Sequence, residues 1–175
     1  MSIRGGLLAL LADNDKYGYQ LKSEFEELTG GVWKLNVGQI YTTLDRLVRD
    51  GHVEAIATDD EGRTNYRLTQ AGRKELNSWF ETVIADAVPP RDELTIKVLL
   101  AIVTDGVDVR DVIDAQRSGL LGAMRLHRRS RQAAGDQITS ALLFDALVAR
   151  VESDLRWLDM CEERVIAADK KGRAR

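Results

Sequence analysis

Apolar residues recur at helical spacing between Asn36 and Gly51, and they divide that segment into two faces. The apolar face consists of Val37, Ile40, Leu44, Leu47 and Val48. The other face consists of Gly38, Gln39, Tyr41, Thr42, Thr43, Arg46 and Arg49. Steps of three and four predict an amphipathic helix with one side against its own domain. Amide, hydroxyl and guanidinium groups on the free side can hydrogen-bond base edges and phosphates in a DNA major groove, although an ordinary solvated helix has similar polarity.

Weaker patterns on both sides of this helix complete a small domain. Two apolar patterns precede it and predict two helices, marked by Leu7, Leu10 and Leu11 and by Leu21, Phe25 and Leu28. Residues 52–58 and 63–68 are predicted strands, joined by an acidic turn at 59–62. Thr69 is predicted to cap a fourth helix, whose inward side chains are Leu76, Trp79, Phe80 and Val83. Three helices followed by a two-stranded β-hairpin wing predict a winged helix-turn-helix over residues 1–88.

Pro89-Pro90 is the only proline pair in the chain, and it is the predicted boundary before a helical region over residues 89–175. Residues 94–103 are apolar on most sides, which predicts a buried helix. Asp108 and Asp136 are predicted to cap two longer helices, the last of which runs to about residue 168. The predicted fold class is therefore mainly α, with an N-terminal winged helix-turn-helix and a C-terminal all-α dimerisation domain.

The assignment of dimerisation to the second domain comes from an apolar seam on the last predicted helix. Its members are Phe144, Leu147, Val151, Leu155, Leu158 and Val165, at steps of three or four except across Glu162. A seam of this length favours a partner helix and hence a homodimer, since two-fold symmetry gives a reader of DNA both spacing and affinity. Packing on the two preceding helices is the alternative.

The formal net charge of the 175-residue chain is −3, so no overall positive field attracts nucleic acid. Residues 1–88 contain 10 Lys and Arg against 14 Asp and Glu, and residues 89–175 contain 15 against 14. This balance argues against a protein that coats DNA regardless of sequence, but it is compatible with a local basic patch. The densest basic cluster consists of Arg125, His127, Arg128, Arg129 and Arg131. We expect it to face Glu152 and Asp154 on the last helix; contact with DNA flanks or with an acidic effector is the alternative.

Catalytic and metal-binding patterns are missing from the sequence. Cys161 is the only cysteine, which excludes an intrachain disulfide and a cysteine metal cluster and favours a reducing compartment. His52 and His127 fall in different predicted domains, and none of the G-x-S-x-G, P-loop or H-E-x-x-H patterns occurs. No apolar stretch approaches the roughly 20 residues of a membrane helix. We therefore expect a cytoplasmic protein that is not an enzyme and that has no cofactor, metal site or membrane contact.

Four segments together resemble the PadR family of bacterial transcriptional regulators. They are L-L-A-L-L-A from residue 7, Y-G-Y-Q-L from residue 17, Q-I-Y-T-T-L-D-R-L-V-R-D-G-H-V-E from residue 39 and Y-R-L-T-Q-A-G-R-K-E-L from residue 66. Many winged-helix proteins share one such segment, whereas the set in this order across residues 3–80 is more specific. The longer helical tail resembles family members with an extended C-terminal dimerisation domain.

The resemblance implies a homodimeric transcription factor, usually a repressor, whose third helix enters the major groove of a double-stranded operator. The DNA contacts that it implies are Gln39, Tyr41, Thr42, Thr43 and Arg46 in this helix, with Arg63 and Asn65 in the wing. By position and charge, Arg49 and Lys34 are further candidates. Asp45 and the acidic wing tip at 59–61 depart from the family pattern. We therefore expect only Arg63 of the wing to approach a phosphate, and Asp45 can pair with Arg49 at i+4.

Some relatives hold small aromatic compounds at the dimer interface, which makes a small aromatic effector a further expectation from the resemblance. Trp157 lies next to the apolar seam and is the candidate contact for such an effector, whereas Trp33 and Trp79 are expected to pack internally. Two alternatives stay open. One is a protein-interaction module that uses the winged helix as a scaffold, which the acidic first half favours. The other is a MarR-type regulator, whose dimer would be built from helices on both sides of the winged domain.

Overall fold

The structure is a computed structural model that describes residues 3–58, 62–84 and 92–173. The chain divides into two compact units, Met1–Ala85 and Asp86–Arg175. The first contains α1 (Ile3–Leu10), β1 (Lys16–Tyr17), α2 (Gly18–Leu28), α3 (Val37–Arg49), β2 (Val53–Thr58), β3 (Thr64–Leu68) and α4 (Gln70–Glu81). The second contains α5 (Glu93–Val103), α6 (Val109–Ala133) and α7 (Ile138–Arg173). The predicted wing tip at 59–61 and the predicted boundary at Pro89-Pro90 lie outside the described residues.

The core of the first unit surrounds the middle of α3. Its other buried members are Leu7, Leu8, Leu11, Leu21, Leu35, Val53, Tyr66 and Leu76. Ile40, Leu44 and Leu47 are at most 1% exposed, and burial of such side chains contributes about 1.5–3 kcal/mol each. The predicted apolar stripe is wrong at its two ends, because Val37 and Val48 are 41% and 37% exposed. Both lie in terminal turns of α3, whereas α1, α2 and β2 cover the middle of the helix.

The sheet has three strands rather than the two of the predicted hairpin. Its order is β1-β3-β2 with antiparallel pairing, and β1 brings Lys16 opposite Tyr66 and Tyr17 opposite Asn65. A strand of two residues is too short to show an alternating pattern, so its pairing with β3 decides its conformation. Because α2 begins directly after β1, this pairing connects the start of α2 to the wing strands.

Three of the predicted N-caps are confirmed. The side chains of Asn36, Thr69 and Asp108 each accept a hydrogen bond from a backbone N–H two or three residues further on. The predicted cap at Asp136 is wrong by one position, because the first helical carbonyl of α7 belongs to Gln137. The beginnings of α3, α4 and α6 are therefore determined locally by the sequence.

The predicted inward face of α4 is correct at Leu76 and Trp79. Leu76 is buried in the core, and the indole of Trp79 lies over Gly5 of α1, where an added Cβ would be 2.4 Å from Cε2 of the indole. Phe80 and Val83 are 68% and 81% exposed, so the prediction is wrong at these two positions. The helix ends at Glu81, so Val83 lies beyond it.

In the second unit, α6 and α7 pack along each other, and Val98, Ile113 and Leu158 form a fully buried core. The predicted burial of α5 is wrong, because only Val98 and Ala101 of its eleven residues are buried. Leu94 is half-buried against the core. The other large apolar side chains are 39–74% exposed; they are Ile96, Leu99, Leu100, Ile102 and Val103. The packing of α5 on this core uses one side of the helix, and its other apolar side is exposed.

Half of the predicted dimer seam is buried inside the single chain. Phe144, Val151 and Leu158 are 6%, 7% and 0% exposed because α7 lies along α6. For these three residues the prediction of a partner contact is wrong, and the alternative of intramolecular packing applies. The other three seam residues, Leu147, Leu155 and Val165, are half-buried. Across the described ranges, no helix combines the length and the apolar composition that a bilayer span requires.

Candidate nucleic-acid interface

The turn before α3 is held by Glu26 of α2, which the sequence pattern did not indicate. Its Oε1 accepts the backbone N–H of Leu35 at 3.0 Å and lies 2.7 Å from Nζ of Lys22. The hydrogen bond from Lys22, and then the one from Leu35, lowers the pKa of the Glu26 carboxyl. Oδ1 of Asn36 then accepts the N–H of Gly38 at 2.8 Å and caps α3. These bonds fix the direction in which α3 leaves the helix-turn-helix.

The face of α3 opposite the core is open. Gln39, Thr42 and Arg46 are exposed, Thr43 is half-buried, and Lys34 is exposed just before the helix. No residue in the described part of the chain forms a hydrogen bond or an ion pair with the Arg46 side chain. Its guanidinium can therefore bind a base edge or a phosphate without first leaving an internal partner.

Both threonine hydroxyls on this face are engaged within α3. Oγ1 of Thr42 donates to the carbonyl of Gly38 at 2.8 Å, and Oγ1 of Thr43 donates to the carbonyl of Gln39 at 2.7 Å. Each hydroxyl proton is thus committed, and the side chains offer lone pairs and a methyl group instead. Donation of either hydroxyl to a DNA phosphate does not fit this geometry, whereas contact of a threonine methyl group with a thymine methyl group does.

Tyr41 packs on the start of α2. A Cβ added at Gly18 would lie 2.8 Å from both Cε1 and Cζ of Tyr41, so the ring covers bare backbone at this position. The Tyr41 side chain is nevertheless 40% exposed. Packing is therefore the established role of the ring, and its exposed part is available for a phosphate contact.

Arg49 is paired with Asp50 rather than with Asp45, the partner that its spacing suggested. Its Nε and Nη2 donate to Oδ1 of Asp50 at 3.0 and 2.9 Å, and Nη1 of Arg4 donates to Oδ2 at 3.1 Å. Hydrogen bonds from Arg49, and then from Arg4, lower the pKa of the Asp50 carboxyl. Burial raises the pKa of the Tyr66 hydroxyl, and the nearby charge of Asp45 adds to this shift.

The two arginines of the wing, Arg63 and Arg67, have different contacts. The guanidinium of Arg63 lies 4.7 Å from the ring centroid of Tyr17, and Asn65 is half-buried in the strand opposite Tyr17. Arg67 donates to both carboxylate oxygens of Asp15, at 2.9 and 2.6 Å, and this lowers the pKa of Asp15. The charge of Arg67 is therefore balanced by Asp15. The phosphate contact of Arg63 stays a prediction.

The basic cluster of α6 is partly neutralised by α7. Arg128 lies 3.1 Å from Glu152, which confirms the expected acidic partner, and Arg131 lies 3.1 Å from Asp145. Asp154, the other expected partner, instead has a raised pKa, chiefly because it is desolvated by burial. These pairs favour a solvated face that links the two helices.

Trp157, the candidate effector contact, is half-buried and packs against the core of the second unit. It does not line the cavity of about 630 Å³ that lies in this unit. The walls of that cavity include Ile102 and Val165, and Asp108 and Arg110 also contribute to its lining. The structure thus gives Trp157 a packing role, and the cavity lies elsewhere in the same unit.

Known proteins resemble this chain most clearly in the first unit. Residues 7–78 match the model of the Transcriptional regulator PadR-like family. The Negative transcriptional regulator PadR of Bacillus subtilis (strain 168) is 31% identical over 82 residues, which make up 45% of this chain and 44% of that protein. The match therefore spans less than half of the length of this relative.

Solved structures of Bacillus subtilis PadR extend the likeness of fold over most of the chain. The structure in complex with operator DNA is 20% identical, covers 91% of this chain and 97% of that chain, and has a TM-score of 0.71. The structure in complex with p-coumaric acid is 20% identical, covers 90% and 95%, and has a TM-score of 0.72. At this identity the likeness establishes the fold. Over residues 7–78, this chain matches the PadR-like family of transcriptional regulators.

Proposed function

We propose that this protein binds a double-stranded DNA operator sequence-specifically, as a homodimer, and represses transcription. One observation carries the proposal: the middle of α3 is in the core while Gln39, Thr42 and Arg46 face outward. Glutamine and arginine are the side chains that pair with adenine and guanine edges in the major groove. The family of residues 7–78, and the operator complex of the structurally similar Bacillus subtilis PadR, support the same function.

A second copy of the chain is the proposed cover for α5. Leu99, Leu100 and Val103 are 55%, 57% and 74% exposed on a helix that is apolar on nearly all sides. Such a helix is normally buried, and contiguous exposed apolar patches mark interaction surfaces. We therefore assign the main dimer contact to α5, with the half-buried Leu147 and Leu155 of α7 as further candidates.

Repression would follow from occlusion, with two α3 helices in successive major grooves of a pseudo-palindromic operator. The cavity of about 630 Å³ in the second unit has the size of a small-molecule site, and its lining combines apolar side chains with Arg110. A small aromatic compound is the proposed effector, since the similar Bacillus subtilis PadR has been solved with p-coumaric acid. Such an effector releases DNA only if it binds more tightly to a dimer with altered spacing of its two α3 helices. We place this activity in the cytoplasm.

The test begins with selection of duplexes from a random library by the full-length chain. Arg46→Ala should weaken binding to the selected duplex by about 5- to 150-fold for each copy in the dimer, the equivalent of one bidentate arginine–guanine pair per half-site, and should affect a mixed-sequence duplex much less. Arg125→Ala, which removes an exposed arginine of α6, is the matched control and should bind as the wild type does. Equal affinities of Arg46→Ala and wild type for both duplexes would contradict the reading role of Arg46.

The second candidate function is a protein-interaction module built on the winged helix. The acidic balance of residues 1–88 favours it, because it weakens the attraction to phosphate. Salt separates the two functions, since a reader of DNA loses affinity steeply as salt rises. A wild-type chain that selects no sequence and shows no such loss would favour the interaction module.

A further inference from the structure

Arg4 of α1 connects three elements at the C-terminal end of α3. Its Nη1 donates to Oδ2 of Asp50 at 3.1 Å, its Nη2 lies 2.9 Å from Nδ1 of His52, and its Nε lies 3.5 Å from Oε1 of Glu75 in α4. A guanidinium has no acceptor, so Nδ1 of His52 must accept the bond from Arg4. One side chain thus ties α1 to the end of α3, to the residue before β2 and to α4.

Asp50 divides its two carboxylate oxygens between two arginines. Oδ2 accepts the bond from Arg4, while Oδ1 accepts two bonds from Arg49. The Arg49 side chain is 72% exposed, whereas those of Arg4 and Asp50 are 32% and 30% exposed. The three residues therefore form a chain of contacts that begins on α1 and reaches the surface at the end of the candidate reading helix.

Asp50 restrains the Arg49 side chain but leaves some of its N–H groups available for another acceptor. A guanidinium carries five N–H groups. Nε and Nη2 of Arg49 each donate one of them to Asp50, so three N–H groups are available to another acceptor. Arginine loses considerable rotamer freedom when it is immobilised on binding, at a cost of about 0.5–1.5 kcal/mol. A carboxylate that already holds the side chain removes part of that cost before a ligand arrives. Asp50 can do so only while its own position is fixed, which is what Arg4 provides.

We propose that Arg4 is a positioning residue for operator binding, which acts through Asp50 to present the guanidinium of Arg49 to a DNA phosphate. The inference rests on the proposed function, because the phosphate that Arg49 meets belongs to the operator. Arg4 itself contacts protein only. Since the ligand is a backbone phosphate, the contribution of Arg4 should be similar on all sequences and should depend on salt.

The experiment measures affinity of the full-length chain against salt concentration, on a duplex selected by the wild type and on a mixed-sequence duplex. Arg49→Ala should reduce the slope of log K against log salt by about 1.8, the value of one phosphate contact in each copy of the dimer. Arg4→Ala should reduce the slope in the same direction and weaken binding on both duplexes by about 2- to 12-fold for each copy in the dimer, the equivalent of restored rotamer freedom of one Arg49 side chain per copy. The double variant should bind no more weakly than Arg49→Ala, because Arg4 acts through that residue.

Arg73→Ala is the matched control. Nη2 of Arg73 donates to the carbonyl of Ala12 at 2.8 Å, so this arginine also fastens α4 near the end of α1 but acts away from α3. It should keep the wild-type slope. Asp50→Asn, which removes the charge that holds both arginines, should behave as Arg4→Ala does, and it serves as the second test if Arg4→Ala fails to fold in a thermal melt.

Three results would overturn the inference. The first is a wild-type slope of log K against log salt in Arg4→Ala, and the second is a double variant whose loss of affinity equals the sum of the two single losses. The third is tighter binding by Asp50→Asn than by the wild type. The last would mean that Asp50 restrains Arg49 away from phosphate. These outcomes are distinct from failure of the proposed function. If Arg49→Ala loses slope and Arg4→Ala does not, only the positioning role is wrong, whereas a wild type without DNA affinity removes both.

Discussion

Gly72 lies where α4 meets the start of the wing, and a methyl group at this position has no room. A Cβ there would lie 2.0 Å from the carbonyl oxygen of His52 and 2.6 Å from Cδ1 of Leu68. Ordinary carbon–oxygen contacts are about 3.3 Å or longer, so the backbone would have to separate by more than about 1 Å. The same carbonyl accepts the N–H of Thr69 at 3.1 Å, so it cannot retreat without breaking the connection between the wing and α4.

Replacement of Gly72 by alanine changes two energies of opposite sign. Helix propensity favours alanine by about 1 kcal/mol, while overpacking typically costs 1–3 kcal/mol. Because the clash is with backbone rather than with a flexible side chain, we expect the upper end of that cost. The free energy of unfolding of the first unit should therefore fall by about 2 kcal/mol, which lowers the Tm of a unit of this size by roughly 8–16 °C.

Thermal unfolding followed by circular dichroism, together with urea titration, measures this change. Gly119→Ala is the matched control, because Gly119 also lies inside a helix, α6, and a Cβ added there meets nothing within 4 Å. It should raise stability by up to about 1 kcal/mol. If Gly72→Ala unfolds at the wild-type temperature or above, the steric argument is refuted.

Three further changes test the packing and the caps. Leu44→Ala should reduce the free energy of unfolding by about 2–5 kcal/mol, because Leu44 is 0% exposed in the core, and a loss below 1 kcal/mol in urea would contradict its central place. Gly18→Ala should displace the ring of Tyr41 and weaken binding to the selected duplex; if it weakens binding as much in a Tyr41→Ala background, the effect does not pass through that ring. The side-chain and backbone hydrogen bonds from Thr95 lower the pKa of Asp92 below the ordinary value of 3.8 for an aspartate. The Asp92 cap therefore stabilises α5 fully above about pH 5, and this stabilisation is lost as the pH falls below 3.8. Asp92→Asn, which keeps an oxygen for the cap, should remove this part of the acid sensitivity, and an unchanged acid transition would count against it.

Local patterns in the sequence were sufficient to predict the middle of α3 and three of the four helix caps. The amphipathic spacing around Ile40 and Leu44 identified the buried face, and Asn36 and Thr69 marked helix beginnings, because these features depend on residues within one or two turns. The family resemblance was carried by the same stretch of chain. This is also why the exposed face of α3 was predicted correctly at Gln39.

The features that the sequence did not predict depend on residues that are distant in sequence. Arg4 is separated by 46 residues from Asp50, and no spacing rule relates them. β1 exists only through its pairing with β3, and Gly18 is explained only by the ring of Tyr41 that lies over it. The burial of α5 was predicted from its apolar composition, and composition cannot tell whether the cover comes from the same chain or from another copy. Val103 is an example: its apolar side chain was predicted to be buried, but it is 74% exposed within one chain.

The acidic balance of the first unit is compatible with DNA binding because much of its charge is paired at short range. The pairs are Arg67 with Asp15, Lys16 with Glu24 and Lys22 with Glu26, at 2.5–2.7 Å. Charges more than about 8–10 Å away are screened at physiological salt, so a phosphate beside α3 responds mainly to the nearest groups. The nearest candidate cations are Lys34, Arg46 and Arg49, with Arg63 from the wing. The carboxylates of Asp45 and Asp50 lie on or next to the same helix.

This local pattern sets the expected salt dependence of operator binding. If about three of these cations per copy meet phosphates while Arg46 reads a base, a dimer makes about six contacts, and log K should fall with log salt at a slope of about −5. A slope near −10 would require cations beyond α3 and the wing, such as the basic cluster of α6. A slope near zero would mean that Asp45 and the paired carboxylates cancel the local field, and α3 would then not be a DNA-reading helix.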